Sequence, residues 1–417
     1  MAPISRILTS GSSVALASAS DKLTPVFVFR LGVVVLLSLL SGCETVATRP
    51  AAHRGEISAD AAVAAATFGP GDRLWRLIAE GGGLYVDTSD DHGSSFTRPV
   101  PLNADAERVL AQAEDRPVIA VDAQERVYVL YAVGTPGAAT SYLSVSNTGG
   151  RSFQAPVPVS DPAKASGHTQ DVIVVARSGR IYAFWNDDVD MSSARAEKEG
   201  ARLYFATGVA PLATGLPNRK LTDGMCNCCR IAVDVGVDDL PVVFGRFVFP
   251  GSIRDHGMLK VSSAGLVGPP WRVTEDDWRT EACPMHGPAL SIAPDGRYHA
   301  VWFTQGRRRQ GLFYAHSDDQ GKHFSNPMAI GEARKLAQHA DVLAAGTRVV
   351  LVWKEFDGRQ THILSMRSAN GGDTWSAPSA IARTSSDSDY PFLIKDSSGI
   401  FLSWNNAEHG HQLITIR

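Results

Sequence analysis

Ser89-Asp90-Asp91-His92-Gly93-Ser94-Ser95-Phe96 decides the reading of this chain, because the octamer returns three times. The copies are Ser146-Asn147-Thr148-Gly149-Gly150-Arg151-Ser152-Phe153, Ser317-Asp318-Asp319-Gln320-Gly321-Lys322-His323-Phe324 and Ser368-Ala369-Asn370-Gly371-Gly372-Asp373-Thr374-Trp375. Each feature has a local physical reason. Glycine at the fifth position supplies a positive φ that other residues resist. Asp or Asn at the third can hydrogen-bond its own turn backbone, and the closing aromatic is expected to pack back onto the strands. The serines stand at 89, 146, 317 and 368, with gaps of 57, 171 and 51. The middle gap is three times the first, which leaves room for two decayed copies. Phe205-Ala206-Thr207-Gly208 and Ser262-Ser263-Ala264-Gly265, the latter followed by Trp271, are the candidates. Six units of about 50–60 residues then span most of the chain.

Each unit carries the same strand grammar around its octamer. Pro117–Val121, Val127–Tyr131 and Tyr142–Val145 precede the second octamer, and Phe153–Val157 closes it. Runs of four to six β-branched and aromatic residues between Gly/Asp turns read as strands. The pattern returns at Asp171–Val175 with Ile181–Trp185, Ile231–Val235 with Pro241–Phe244, Ala289–Ile292 with Tyr298–Phe303, and Asp341–Leu343 with Val349–Trp353. Four strands per unit, radially repeated, describe an all-β propeller with no helix longer than a turn. The last unit, Tyr390–Ile394 with Phe401–Trp404 and Gln412–Ile416, offers three strands. Merging it with the N-terminal unit gives six blades, the preferred count, and keeping the ends apart gives seven. The octamer resembles the Asp-box of sialidases and other β-propeller proteins, and its residues are read as structural.

The chain has 417 residues, 44% hydrophobic and 20% charged, with Lys+Arg 40 against Asp+Glu 43 and a net charge of −3. This composition excludes a disordered or collagen-like chain, and no basic footprint points to nucleic acid. Phe27–Phe29, Arg30 and the apolar run Leu31–Leu40 suit a signal-peptide core, being too short for a mature transmembrane helix. Leu40-Ser41-Gly42-Cys43 resembles the lipobox of bacterial lipoproteins. The resemblance implies cleavage before Cys43, lipidation of that cysteine, and anchoring in the bacterial envelope, with Glu44 favouring the outer membrane. The expected organisation is a signal peptide over residues 1–42, a flexible tether over 43–71 and a propeller over 72–417. A monomer is expected.

In a four-stranded meander, the loop after strand two and the crossover into the next blade leave on one face, opposite the octamers. The residues that open innermost strands there include Arg116, His168, Cys229 with Arg230, Cys283 with His286, His339 and Tyr390. Asp187 with Asp188, Arg246, Arg254 with Asp255, and Lys354 follow second strands. A polar funnel of this kind is the expected binding site. The sialidase resemblance implies an exo-acting glycoside hydrolase on an acidic sugar, needing no cofactor. Under it, Arg116, Arg230 and Arg254 grip the substrate carboxylate, Tyr390 is the nucleophile with Glu281 as its partner, and Asp187 or Asp188 is the acid. The Arg-Ile-Pro signature of sialidases is absent, and Trp75-Arg76-Leu77-Ile78 is a loose echo of it.

The cysteines admit other readings. Cys226-Asn227-Cys228-Cys229-Arg230 opens one blade and Cys283-Pro284-Met285-His286-Gly287-Pro288 the next, so the two segments should touch. They resemble a paired motif of bacterial Asp-box lipoproteins described only as sialidase-like. Two disulfides, with Cys229–Cys283 stapling neighbouring blades, are one account. A copper or zinc site built from Cys226, Cys228, Cys229, Cys283 and His286, joined across the axis by His168 and His339, is another, and free or redox-active thiols are a further one. A non-catalytic module presenting its top face to a glycan or protein partner is the last reading. Trp185, Trp302 and Trp353 fall in second strands and are expected in the core.

Overall fold

A computed structural model describes residues 62–417, apart from 103–107, 112–114, 136–137, 161–166, 168, 190, 213–215, 217, 263–264, 266 and 282–283. Cys43, His168 and Cys283 therefore lie outside the described residues. The first meander is β1 (Ala62–Phe68), β2 (Leu74–Glu80), β3 (Gly83–Ser89) and β4 (Val100–Pro101). The second is β5 (Val118–Val121), β6 (Val127–Thr135), β7 (Ala138–Ser146) and β8 (Val157–Pro158). The third is β9 (Thr169–Val175), β10 (Arg180–Asp187), β11 (Ala201–Val209) and β12 (Asn218–Met225), with helix α1 (Ser193–Glu199) between β10 and β11. The fourth is β13 (Ala232–Val235), β14 (Pro241–Phe249), β15 (Ile253–Lys260) and β16 (Trp271–Arg272). The fifth is β17 (Ala289–Ile292), β18 (Tyr298–Gln305), β19 (Gln310–Ser317) and β20 (Met328–Ile330). The sixth is β21 (Gln338–Ala345), β22 (Arg348–Phe356), β23 (Thr361–Ser368) and β24 (Ser379–Thr384), and the last is β25 (Phe392–Lys395), β26 (Ile400–Asn406) and β27 (Gly410–Ile416).

These strands form six hydrogen-bonded sheets among the described residues. One of them is eight-stranded, because Met225 of β12 pairs with Phe247 of β14 and joins the third and fourth meanders. Seven meanders thus follow one another. Their first strands touch in ring order: β1 on β5, β5 on β9, β9 on β13, β13 on β17, β17 on β21, β21 on β25, and β25 back on β1. The architecture is an all-β propeller. The two chain ends do not merge into one blade, because β1 gives the first meander an innermost strand of its own. That strand lies inside the stretch read from sequence as a tether. Helix α1 is a further departure, a two-turn insertion capped by the Ser192 hydroxyl, which accepts from the Arg195 backbone N–H at 3.3 Å. No helix among the described residues is long and apolar enough to cross a membrane.

Second strands are buried on both faces, since each sheet is sandwiched between neighbours. β14 is buried over seven consecutive residues, Pro241–Phe247. Trp75, Trp185, Trp302, Trp353 and Trp404 all occupy second strands and are at most 2% exposed. The layer of tryptophans is core, as the strand grammar implies.

All four octamers begin on the last residue of a third strand. The serine hydroxyl accepts the backbone N–H of the fifth residue, at 2.8 Å in Gly93 and Gly372 and 2.9 Å in Gly150 and Gly321. The third residue accepts the N–H of the seventh, at 2.8–3.0 Å from Asp91, Thr148, Asp319 and Asn370. Thr148 therefore replaces the carboxylate with its hydroxyl and keeps the bond. The glycine also serves packing between blades. A Cβ on Gly150 would stand 2.4 Å from the Trp75 ring of the preceding blade. Of the two decayed copies, Phe205–Gly208 lies within β11 and forms no turn, whereas Gly265 keeps a φ of +71° and donates to the Ser262 carbonyl at 2.8 Å.

Candidate functional site

The meander geometry sends residues just before the innermost strands to one end of the ring axis. Arg116 precedes β5, Arg230 precedes β13, His286 precedes β17, and Tyr390 precedes β25, while His339 sits at the start of β21. A cavity of about 380 Å³ follows the axis, with Arg116, Arg230, Asp341, Asp389, Tyr390 and Phe392 on its polar wall. The innermost strands, such as β9 and β13, give it an apolar lining.

Two guanidinium groups meet at the aromatic side of this cavity. Arg116 is ion-paired with Asp389 and lies 4.5 Å from the Phe392 ring centre and 5.9 Å from that of Tyr390. Arg230 lies 4.9 Å from the Phe392 ring centre and donates to the Pro288 and Ala340 carbonyls at 3.4 and 3.3 Å. Lys354 completes the cationic set, 5.8 Å from the Tyr390 ring centre, with its ammonium donating to the Ser388 carbonyl at 3.0 Å. The phenol ring of Tyr390 is stacked on the His339 imidazole, centroids 3.6 Å apart at 15°, and His286 lies 4.8 Å beyond His339. Burial, then His286 and the surrounding cations, hold His339 far below the usual histidine range. His286 is lowered to about 4 by burial and Arg246. Both rings are thus neutral near pH 7. Burial raises the Asp389 carboxyl against the opposing pull of Arg116, and burial also raises Asp341 against Arg230. The wall carries two guanidinium groups, with Lys354 beside Tyr390, and two carboxylates whose ionisation burial resists. It is suited to an anion.

Of the residues expected at the site, Arg116, Arg230 and Tyr390 are brought together. Arg254, Glu281 and Asp187 are not among the residues lining the cavity. Arg254 is fully buried and acts as a cross-link, donating to the Thr280 and Glu197 carbonyls and to the Cys226 sulfur at 3.5 Å. Glu281 is exposed in the loop after Thr280. Asp187 ends β10 and accepts the Val189 N–H at 2.7 Å, closing its own turn. Asp255, which follows a second strand beside Arg254, is ion-paired with Arg272 and accepts the Trp278 N–H at 3.2 Å. Asp389, next to Tyr390 in sequence, was overlooked. Its signal was its position, one residue ahead of the tyrosine that opens β25.

The cysteine segment lies behind Arg230. Cys229 is a free, buried thiol, so it does not form the staple to Cys283; Cys228 is the disulfide-bonded cysteine, and Cys226 is the second free thiol. Blades four and five do meet here. The His286 backbone N–H donates to the Cys229 sulfur, and a Cβ on Gly287 would stand 2.4 Å from that of Arg230. The ligand atoms of Cys226, Cys228 and Cys229 lie within 4.8 Å of one another. They fit copper or zinc poorly: one sulfur is already in a disulfide, and Arg254 and Arg246 bring positive charge to the other two. The Cys226 thiol is lowered to about 6, first by its hydrogen bond with Cys229 and then by Arg246 and Arg254 against burial. Cys229 is raised by burial.

No protein-family model and no curated protein matches the chain. Similar solved structures do exist. A PL25 polysaccharide lyase, an ulvan lyase bound to -[GlcA(1-4)Rha3S]-, aligns with a TM-score of 0.54 and 9% identity, over 86% of this chain and 94% of its own. The polysaccharide lyase Uly1 aligns at 0.53 with 7% identity, over 85% and 90%. The Hadza microbial sialidase Hz136 aligns at 0.49 with 13% identity, over 83% and 73%. At these identities the likeness to the lyases carries the fold.

Proposed function

We propose that the axial cavity binds the carboxylate of an acidic glycan and that the chain is an envelope-anchored enzyme cleaving that glycan. The observation that carries the reading is the convergence of Arg116 and Arg230 on the wall formed by Tyr390 and Phe392. A planar guanidinium suits a carboxylate, and an aromatic wall suits the apolar face of a sugar ring. The lipid anchor at Cys43 belongs to the same proposal. Replacing Cys43 with Ala should abolish lipid labelling and release the protein from membranes.

Two chemistries fit an acidic sugar, and the residues present favour one. Hydrolysis through a tyrosine nucleophile needs a carboxylate to activate it and a separate acid, whereas Glu281 and Asp187 do not line the cavity. β-Elimination from a uronate needs less. One group neutralises the carboxylate so that C5 becomes acidic, one accepts the C5 proton, and one protonates the leaving oxygen at C4. Arg230 and Arg116 supply the first role. Tyr390, with its ring fixed by neutral His339, is the proton carrier. Bond changes balance as the C5–H and C4–O bonds break, a C4=C5 double bond forms and the leaving oxygen takes a proton. The polysaccharide lyases of similar fold, one an ulvan lyase bound to a glucuronate-containing chain, support this choice. The hydrolase reading survives in Asp389, whose carboxylate adjoins Tyr390.

Purified full-length protein should be assayed on uronate polysaccharides, following the ultraviolet absorbance of the unsaturated uronate, and on a fluorogenic sialoside. Elimination predicts absorbance growth that is lost in Arg230→Ala and Tyr390→Phe with folding intact. Sialoside turnover lost in the same variants would replace it with hydrolysis. No turnover on either class contradicts both.

A further inference from the structure

The sulfur cluster that opens the fourth blade has no part in the chemistry proposed for the cavity, yet it ends one residue before Arg230. The Cys226 and Cys229 sulfurs stand 3.1 Å apart, and that of Cys226 stands 3.7 Å from Cys228. Cys226 and Cys229 are 0% and 1% exposed, whereas Cys228 is only half-buried. A turn draws the pair together, with the Cys229 N–H on the Cys226 carbonyl at 3.5 Å. Tetrahedral zinc at about 2.3 Å from each sulfur would hold two thiolates roughly 3.8 Å apart, wider than this pair. Arg254 donates to the Cys226 sulfur at 3.5 Å, an arrangement that favours a nucleophilic thiolate over a bound cation.

We propose that Cys226, Cys228 and Cys229 form an intramolecular thiol–disulfide relay, in which the half-buried Cys228 disulfide passes its oxidation to the buried Cys226–Cys229 pair. In the first step a lone pair of the Cys226 thiolate attacks the Cys228 sulfur. The bond from Cys228 to its partner breaks, and the departing thiolate takes up the proton that Cys226 released. In the second step the Cys229 thiolate attacks the Cys226 sulfur, and Cys228 leaves as a thiolate that takes the Cys229 proton. One disulfide and two thiols stand on each side, so no outside oxidant enters. Restoring the Cys228 disulfide consumes one small-molecule disulfide and releases two small thiols. With both disulfides closed, the turn before Arg230 is covalently fixed.

The test poises the full-length protein in buffers of graded oxidised-to-reduced glutathione ratio, quenches with acid, alkylates in denaturant and maps the labelled cysteines. The relay predicts that label on Cys226, Cys228 and Cys229 falls together as the buffer becomes oxidising. After a timed jump into the oxidising buffer, label on Cys226 and Cys229 in Cys228→Ser should fall more than about tenfold more slowly than in wild type, because their direct exposure is negligible. Label on Cys226 and Cys229 that ignores the ratio overturns the proposal, as does an equally fast response in Cys228→Ser. Should Cys228→Ser not fold, the wild-type mapping decides alone: label confined to Cys226 and Cys229, with Cys228 never labelled, contradicts exchange.

Discussion

Arg116 and Arg230 face the same cavity but are held differently, and substitutions should separate them. Arg116 neutralises Asp389, a carboxylate only 15% exposed. Arg116→Ala leaves that group buried without its cation, and the expected destabilisation is roughly 2–3 kcal/mol, readable in a urea titration. Arg230 is anchored through backbone carbonyls and Phe392. Arg230→Lys should keep the charge and lose the planar fork, raising KM for an acidic substrate by about 10-fold or more with a smaller loss of stability. Equal stability losses in the two variants would remove the distinction. Arg230 was legible in the sequence because it opens a strand beside the axis. Its partners were not, because a contact such as Ala340, 110 residues away, depends on the ring closing.

At the scale of the element, the octamer glycines answer two demands, backbone and neighbour. Gly150 has a φ of +71° and would place a Cβ 2.4 Å from Trp75, whereas Gly71 has a φ of +68° with nothing within 4 Å. Gly71→Ala should therefore cost only the left-handed backbone, about 1 kcal/mol. Gly150→Ala adds overpacking against an immobile indole and should cost about 2–4 kcal/mol in the same denaturation measurement. Similar losses at both sites would mean that the neighbouring blade yields freely. The turn itself was readable from sequence, since serine, third-residue acceptor and glycine are local chemistry. The second demand was not, because Trp75 belongs to another blade. The same limit explains Phe205–Gly208, where a spacing argument placed a turn inside what tertiary pairing makes a strand, and Ala62–Phe68, an Ala-rich stretch without strand grammar that the ring recruits as an innermost strand.

The whole molecule is closed by side chains from its two ends. Phe68 packs on Phe401 at 5.2 Å, His92 meets Asp396 at 2.6 Å, and the Ser397 N–H donates to Asp72 at 2.9 Å. Truncation to begin at Asp72 removes β1 and its contacts with the last blade, so a loss of cooperative unfolding, or a fall in Tm of many degrees, is expected. A propeller that melts unchanged would show that β1 is dispensable.

Acid should loosen the same ring. Burial lowers His286 and His299 to about 4 and His411 to about 3. Folded values below the unfolded one of about 6.5 mean that these groups stabilise the fold above pH 6.5 and that the stability drains as pH falls toward the folded values. The raised carboxylates Asp234 and Asp341 act in the opposite sense nearer their own range. Between pH 7 and 5 the histidines should dominate, and Tm should fall by several degrees, an effect of a few kcal/mol by linkage. A flat Tm over that window would contradict neutral burial of these rings.

Binding tests the assignment of the axial cavity more directly than turnover does. Calorimetry of the full-length protein should compare a uronate oligosaccharide with its carboxyl-reduced, neutral counterpart, in wild type and in Arg230→Ala. The account predicts binding of the acidic sugar at least about tenfold tighter than of the neutral one, with that preference lost in Arg230→Ala. Equal affinity for the two sugars, or a preference that survives in Arg230→Ala, would contradict it.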